Sequence, residues 1–232
     1  MAAWGLHLDR NQRERLLEYA RLLALYDRAN VIGTRDLDGI LLAHVLDSLS
    51  CFLYRPLFDA RSLADVGSGG GLPGIPLKIM KPDLATTLVE STGKKARFLR
   101  YAVDSLSLEN VEVANIRVED LGRDQAHRGA YDIVASRAVA RLSVVAEYGV
   151  PLLEHGGRVL AMKGKLEQEE LAEGSTAADT LGARVVEIVE VPMLPAVGEK
   201  ERKLAILEKL RKTPARYPRR SGVAARRPLG SG

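Results

Sequence analysis

The sequence predicts an α/β protein built on a doubly wound, mostly parallel sheet of seven strands, with an N-terminal helical cap and an antiparallel hairpin at one edge. Three observations predict this class. No strand pattern occurs before residue 61, short apolar strands then alternate with helices, and the last two strands follow each other without a helix. Parallel neighbours need a crossover connection, whereas a direct connection produces an antiparallel pair.

Two helices are predicted in the cap. Residues 9–29 repeat apolar side chains at helical spacing from Leu16 to Ala24, with charged residues between them. A second apolar helix is expected at residues 40–54, where Pro56 follows its end. We therefore expect residues 1–60 to form a helical cap rather than part of the sheet.

The sheet and its helices are expected from residue 61 onward. Apolar or β-branched stretches predict strands at 63–66, 86–89, 111–116, 131–135, 158–162, 185–191 and 203–207. Helical spacing predicts crossover helices at 73–80, 95–106, 144–153 and 166–181. The α/β domain is thus predicted to cover residues 61–210, and residues 211–232 are expected to form a basic, flexible tail.

Composition narrows the class of protein. The chain has 232 residues, 46% of them hydrophobic, which suffices to bury a core and argues against a disordered chain. It has no apolar run of about 20 residues and no apolar signal segment, so we expect neither a membrane helix nor secretion. Cys51, the single cysteine, cannot form an internal disulfide. A soluble, cytoplasmic, monomeric protein is expected.

The charge is unevenly distributed. Residues 202–232 contain ten Lys or Arg and one Glu, a net charge of +9, whereas residues 1–201 contain 24 basic and 29 acidic residues, a net charge of −5. Such asymmetry indicates a polyanionic partner at one end of the molecule, or a tail that only adds solubility. Residues 213–232 lack periodicity and are expected to be extended or disordered.

A glycine-rich loop follows the first predicted strand. The segment 65–74, DVGSGGGLPG, has the spacing D-x-G-x-G-x-G, with glycines at Gly67, Gly69 and Gly71. These glycines permit positive φ and let a ligand approach backbone N–H groups closely. The second strand ends in Glu90, whose carboxylate can accept both hydroxyl hydrogens of a ribose. The combination predicts a nucleoside cofactor.

Two nucleoside cofactors fit such a loop. A dinucleotide places its pyrophosphate at the helix N-terminus, where Asp65 at the start of the loop would repel it. S-adenosylmethionine carries no phosphate, and Asp65 can face its ammonium or sulfonium group directly or through water. The sequence therefore favours S-adenosylmethionine, with a nicotinamide dinucleotide as the alternative.

The residue types that are missing narrow the chemistry. Methylating carbon-5 of a pyrimidine needs a cysteine thiolate, and Cys51 lies in the helical cap, where it is more simply a small buried residue. The fourth strand ends in ASRA at 135–138, without an Asn/Asp-Pro-Pro-aromatic cluster to polarise an exocyclic amine. The four histidines are scattered, so no metal site is expected. An acceptor that is already nucleophilic remains, such as guanine N7, served by orientation and electrostatics.

Basic residues follow four predicted strands at their carboxyl ends, where doubly wound proteins bind ligands. They are Lys94, Arg117, Arg137, Lys163 and Lys165. Each alone is an ordinary surface charge, but together they predict a positive rim that suits phosphate and guanine O6. After the third strand, Val118 is expected to pack on adenine, and Glu119 either lines the pocket edge or serves as the first-turn acid of a helix.

These motifs resemble the bacterial family of small-subunit ribosomal RNA methyltransferase G, also called glucose-inhibited division protein B. The matching segments cover nearly the whole chain: NVI at 30–32, HVLDSL at 44–49, DVGSGGGLPGIPL at 65–77, VES at 89–91, GKKARFL at 93–99, RVE at 117–119, SRA at 136–138, MKG at 162–164 and KTP at 212–214. The resemblance implies a Rossmann-like methyltransferase fold and methylation of N7 of one guanine in the 530 loop of 16S rRNA, with S-adenosylmethionine as methyl donor.

The resemblance also implies site residues. Family contacts to the cofactor fall on Gly67, Leu72, Val118, Glu119 and Arg137, and family residues implicated in RNA binding or activity fall on Lys94, Arg117, Arg137 and Lys163. Gly70 stands where other members often carry proline, and Glu90 where some carry aspartate. His44 and Asp47 match a family motif and are expected to form a structural hydrogen-bonded pair.

Two other functions remain open from the sequence: an NAD(P)-dependent oxidoreductase that uses the same loop, and a non-catalytic rRNA-binding protein. The expected partner is 16S rRNA, the small ribosomal subunit or its precursor. Truncation after Lys209 is expected to weaken RNA binding and its salt dependence while leaving the cofactor site intact.

Overall fold

A computed structural model describes residues 4–138, 140–192 and 201–230. Within these residues, seven strands form one sheet in the order β3-β2-β1-β4-β5-β7-β6. The strands are β1 (Ser62–Val66), β2 (Ala85–Val89), β3 (Val111–Ala114), β4 (Tyr131–Arg137), β5 (Leu153–Lys163), β6 (Ala183–Glu190) and β7 (Lys203–Lys209).

Strand direction agrees with the predicted class. All pairs among β1 to β5 are parallel, whereas β7 lies antiparallel between β5 and β6. The predicted doubly wound sheet with an antiparallel edge hairpin is therefore confirmed. β5 begins five residues earlier than predicted, because Gly156 and Gly157 extend it rather than precede it. Residues 193–200, in the connection between the last two predicted strands, lie outside the described residues.

Helices cover both faces of the sheet. They are α1 (Arg10–Leu25), α2 (Leu37–Ile40), α3 (Asp47–Leu49), α4 (Gly74–Met80), α5 (Gly93–Ser105), α6 (Val118–Leu121), α7 (Leu142–Gly149), α8 (Gln168–Leu181) and α9 (Val223–Arg226). Side chains alternate along each strand, so Leu63 joins the core under α1, α4 and α5 whereas Ala64 joins the core under α7 and α8. In the described residues, no helix is long and apolar enough to span a membrane.

The N-terminal cap lies against the glycine loop. Asp9 caps α1 by accepting from the backbone N–H of Gln12 at 2.7 Å. Residues 37–53 form one bent helical stretch, in which a π-helical segment, Leu41–Leu46, separates α2 from α3. Tyr19 is fully buried, and its hydroxyl donates to the carbonyl oxygen of Gly70 at 2.5 Å. The cap thus supports the loop from below.

The tail differs from the expectation of an extended or disordered segment, which is wrong for residues 213–230. Tyr217 and Ala224 are buried, and the guanidinium of Arg128 donates to the carbonyl oxygens of Thr213 and Tyr217. These contacts satisfy backbone groups without any helix or strand period, which is why the sequence pattern did not reveal them. The division of the chain at residues 60 and 210 stays a prediction.

Candidate functional site

The order of the strands creates a crevice at their carboxyl ends. The chain proceeds from β1 to β2 and β3 on one side and places β4 and β5 on the other, so the sheet has its switch point between β1 and β4. Val66 pairs with Val89, and Val89 pairs with Ala114. The glycine loop, Glu90 and the turn after β3 therefore meet at one edge, as the sequence predicts.

The glycines of the loop serve two purposes. Gly67, Gly69 and Gly71 all have positive φ, at 73°, 58° and 92°. A Cβ added at Gly69 would meet only the carbonyl oxygen of Gly67, at 3.9 Å, so this side of the loop is open to a ligand. A Cβ at Gly71 would lie 2.5 Å from Cδ1 of Ile75, so Gly71 permits the packing of α4 instead.

Glu90 joins the loop to the second strand. Its Oε2 accepts from the backbone N–H of Gly69 at 3.0 Å, and its Oε1 accepts from the N–H of Thr92 at 2.7 Å. A carboxylate oxygen has two lone pairs, so each oxygen can accept one further hydrogen bond. Glu90 is largely buried yet lines the crevice, which fits a carboxylate that would receive the two hydroxyl groups of a ribose.

Contrary to the expectation from the sequence, Asp65 does not face the crevice. It is fully buried under the loop, where its Oδ2 accepts from the backbone N–H of Gly74 at 3.0 Å. Burial raises the pKa of its carboxyl to about 7, against hydrogen bonds from Gly74 and Ser68. Asp65 therefore braces the loop against α4, because Gly74 lies directly over its side chain.

The crevice beside the loop has a volume of about 170 Å³. Five predicted site residues line it, namely Gly67, Glu90, Arg117, Val118 and Glu119. Leu72 does not, because it is buried in the core beneath α1. Sequence reasoning missed Tyr148, which reaches the crevice from α7. The signal was weak: Tyr148 is the aromatic residue of the helix that follows β4, and no spacing ties it to the loop.

The tail contacts two helices, α6 and α7, that contribute residues to this crevice. The backbone N–H of Gly222 donates to Oε1 of Glu119 at 2.7 Å, and Glu119 lies in the first turn of the short helix α6. Both alternatives for Glu119 are thus present: it lines the crevice and it belongs to a helical first turn. Arg219 binds Glu147, the neighbour of Tyr148 on α7, with Nη2 and Oε2 2.6 Å apart. The tail therefore fixes α6 and α7.

A second cavity of about 270 Å³ lies at the carboxyl end of β4 and β5, and its lining includes His44, Asp47, Arg137, Lys163 and Arg202. Arg137 donates to the carbonyl oxygen of His44 at 3.1 Å and to Nδ1 of His44 at 2.7 Å. Asp47 pairs with Arg137 at 3.4 Å and with Arg202 at 2.5 Å. His44 and Asp47 are thus joined through Arg137, not as the predicted pair.

The contact with Arg137 fixes the tautomer of His44. A guanidinium only donates, so Nδ1 of His44 accepts and the proton of the neutral ring lies on Nε2. Burial, with the charges of Arg137 and Arg202, lowers the pKa of His44 from 6.5 to about 4. His44 is therefore a neutral hydrogen-bond donor at neutral pH.

The predicted positive rim is divided between the two cavities. Arg117 lines the crevice, whereas Arg137 and Lys163 line the second cavity. Lys163 is paired with Glu170 at 2.6 Å and donates to the carbonyl oxygen of Ala140. Lys94 is exposed near the start of α5, outside the linings of both cavities. Lys165 is exposed and paired with Glu167.

Cys51 lies away from both cavities. It is fully buried in the core of the cap, and burial, with the nearby charges of Asp47 and Asp65, raises the pKa of its thiol well above its usual range. A thiolate is the reactive form of cysteine, so Cys51 is not a nucleophile here. The expectation of a small buried residue agrees with its position.

Comparison with known proteins places the chain. The family model described as rRNA small subunit methyltransferase G matches residues 12–205. A protein of Rubrobacter xylanophilus named ribosomal RNA small subunit methyltransferase G is 59% identical, with 99% of this chain and 88% of that protein covered. A protein of the same name from Roseiflexus sp. is 48% identical, with 98% and 96% covered.

Solved structures agree with the fold. An antibiotic-resistance methyltransferase, Kmr, superposes with a TM-score of 0.54 at 17% identity, covering 71% of this chain and 94% of that chain. The Rossmann-like methyltransferase fold and the family predicted from the motifs are both confirmed. The chain belongs to the rRNA small subunit methyltransferase G family.

Proposed function

We propose that this protein transfers the methyl group of S-adenosylmethionine to N7 of one guanine in the 530 loop of 16S rRNA. The observation that carries the proposal is the crevice beside the open face of Gly69, where Glu90 keeps two acceptor sites, in a chain of this family. The family match favours S-adenosylmethionine over the nicotinamide alternative.

The residues around the crevice fit an adenosine. Glu90 would receive the ribose hydroxyls, and the backbone of Gly67 and Gly69 would lie under the sugar and the amino-acid chain. Val118 and Tyr148 both contribute apolar surface to the lining that includes Glu119, which suits a flat base. S-adenosylmethionine supplies an electrophilic methyl group on a positively charged sulfur.

The acceptor needs a free lone pair and no proton removal. Guanine N7 carries such a lone pair, and methylation at N7 releases no proton, so a general base is not required. Donors must then reach O6 or phosphate and leave N7 free. Arg137 and Lys163, held by His44, Asp47 and Glu170, can supply such donors from fixed positions. Their role is to orient the guanine.

We infer the oligomeric state, the cellular location and the RNA partner that the sequence suggested. It acts as a monomer in the cytoplasm, on 16S rRNA within the small ribosomal subunit or its precursor. Size determination in solution and transfer assays with naked RNA, precursor particle and mature subunit distinguish these states.

The test uses labelled S-adenosylmethionine and fragments of 16S rRNA that contain the 530 loop. Replacing each guanine of the loop in turn by 7-deazaguanine removes its N7 without changing its pairing edge. We expect transfer to vanish at one position only. Transfer that persists with every substitution would refute N7 as the acceptor.

A binding control separates cofactor from chemistry. S-adenosylhomocysteine should raise the melting temperature of the protein, and NAD(H) should not, because a ligand that binds only the folded state stabilises it. Stabilisation by NAD(H) alone would support the alternative of an oxidoreductase. Binding of labelled RNA without any methyl transfer would support the alternative of a non-catalytic rRNA-binding protein.

A further inference from the structure

A third depression lies on the outer surface, between the end of α1 and the exposed side of α5. Two adjoining cavities of about 590 and 410 Å³ form it, and they share Tyr26 and Asp27 in their linings. We call this depression the α1–α5 groove and define it by Leu25, Tyr26, Arg28, Arg35, Arg97, Arg100 and Tyr101.

The groove is rich in cations that have no acidic partner. Among the described residues, Arg28, Arg35 and Arg97 form no ion pair, and Arg100 makes only a long contact, at 3.4 Å, to the carbonyl oxygen of Val113. Two acids, Asp27 and Asp104, line the same groove as the four arginines. Because residues 1–201 carry a net charge of −5, an unpaired basic cluster here indicates a polyanion.

The groove also exposes apolar surface of a particular kind. Tyr101 is 48% exposed and Leu25 is 77% exposed. Tyr101 leans on Tyr26 with ring centroids 5.9 Å apart, and Tyr26 meets Phe98 edge-on at 4.8 Å. Tyr101 is thus braced from behind and exposed in front, which suits stacking of a single nucleobase beside arginines. Two large apolar residues among four cations fit RNA better than an apolar protein interface.

The groove is connected to the crevice through α5 and the glycine loop. Glu90 accepts from Thr92 at the N-terminal end of α5, and Tyr101 lies nine residues beyond Thr92, about 14 Å along the helix axis. On the other side, a Cβ at Gly70 would lie 3.0 Å from the carbonyl oxygen of Val31, which lines the groove. A segment of a few nucleotides is therefore needed to reach from the crevice to Tyr101.

We propose that the α1–α5 groove binds the single-stranded RNA next to the target nucleotide, with one base stacked on Tyr101 and phosphates held by Arg97, Arg100 and Arg28. This inference rests on the proposed function, since it takes RNA as the substrate. Affinity then comes in part from nucleotides that do not enter the crevice.

The experiment compares Tyr101→Ala, Tyr101→Phe, Arg97→Ala and, as a matched control, Arg184→Ala. Arg184 is an exposed arginine on β6, at the opposite edge of the sheet. The readouts are the Kd for a 530-loop fragment at several salt concentrations, KM and kcat for that RNA, and the Kd for S-adenosylhomocysteine.

We expect Tyr101→Ala to raise the RNA Kd and KM about 5- to 100-fold, as for the loss of one stacked base, with little change from Tyr101→Phe. Arg97→Ala should lower the salt slope by about 0.7. For both, kcat at saturating RNA and the Kd for S-adenosylhomocysteine should stay as in the wild type. Arg184→Ala should change none of these quantities.

Two results would overturn the inference: wild-type RNA affinity in both Tyr101→Ala and Arg97→Ala, or an equal loss in Arg184→Ala, which would indicate bulk charge. If Tyr101→Ala does not fold, Arg97→Ala alone decides. Failure of the wild type to transfer methyl groups would overturn the proposed function instead, and the RNA Kd values would still report on the groove.

Discussion

The ion pair between Arg219 and Glu147 makes the sharpest prediction about stability. Glu147 is completely buried, and Arg219 offers it Nε at 2.9 Å, Nη2 at 2.6 Å and its backbone N–H at 2.8 Å. In Arg219→Ala the backbone N–H remains but the buried carboxylate loses its counter-charge. Breaking a buried pair from one side costs about 3–5 kcal/mol. Because one donor survives, we expect about 3 kcal/mol.

That loss is large beside a total stability of about 5–15 kcal/mol. For a chain of this size it corresponds to a fall in melting temperature of about 6–12 °C. The matched control is Arg220→Ala, which removes the same charge from the next, exposed residue. S-adenosylhomocysteine affinity should fall with the stability, since Tyr148 follows Glu147 on α7 and lines the crevice.

Thermal melting and a double-mutant cycle with Glu147→Gln measure the effect. The cycle should give a coupling free energy above about 1 kcal/mol, because the two side chains share their contacts. A melting temperature for Arg219→Ala within about 2 °C of the Arg220→Ala value would show that the tail contributes no anchoring, and the reasoning would fail.

Three further predictions concern the site. Glu90→Gln should weaken S-adenosylhomocysteine binding about 10-fold or more, measured by calorimetry, because an amide NH₂ would face a backbone N–H and the charged acceptor is lost. Folding lowers the pKa of His44 from 6.5 to about 4. As pH falls through this range, His44 takes up a proton in the unfolded chain before it does so in the folded protein, so the free energy of unfolding decreases. The melting temperature of His44→Asn should therefore depend less on pH between 6.5 and 4. Contrary to the expectation from the sequence, truncation after Lys209 should weaken cofactor binding, because Gly222 no longer holds Glu119; an unchanged S-adenosylhomocysteine Kd would contradict this.

The crevice was predictable from the sequence because its parts are local. A strand, a glycine loop and an acid at the end of the next strand are adjacent in the sheet by the parallel register alone, so Gly67 and Glu90 had to meet. The geometry within the loop was not predictable. Asp65 lies below it because Gly74 needs an acceptor for its backbone N–H, which a spacing pattern does not reveal.

The second cavity depends on contacts between distant segments. Arg137 binds His44, 93 residues away, and Arg202, directly before β7, binds Asp47. Sequence reasoning placed Arg137 at a strand end correctly and assigned it to a positive rim, without an acidic partner. Since side-chain pairing across the sheet has no period, it could not foresee that Asp47 would neutralise part of the charge.

The basic tail shows why net charge in the sequence differs from charge available to a partner. Four of the ten basic residues in 202–232 form ion pairs within the molecule: Arg202 with Asp47, Lys203 with Glu190, Arg211 with Asp179 and Arg219 with Glu147. Each pair takes an acid from the first 201 residues, so folding reduces the apparent charge separation and leaves six of the ten basic residues outside these pairs. In the part of the chain that the structure describes, arginines without an ion pair also lie on α5 and the loop after α1. RNA is therefore expected to meet the α1–α5 groove as well as the C-terminal end that the sequence suggested.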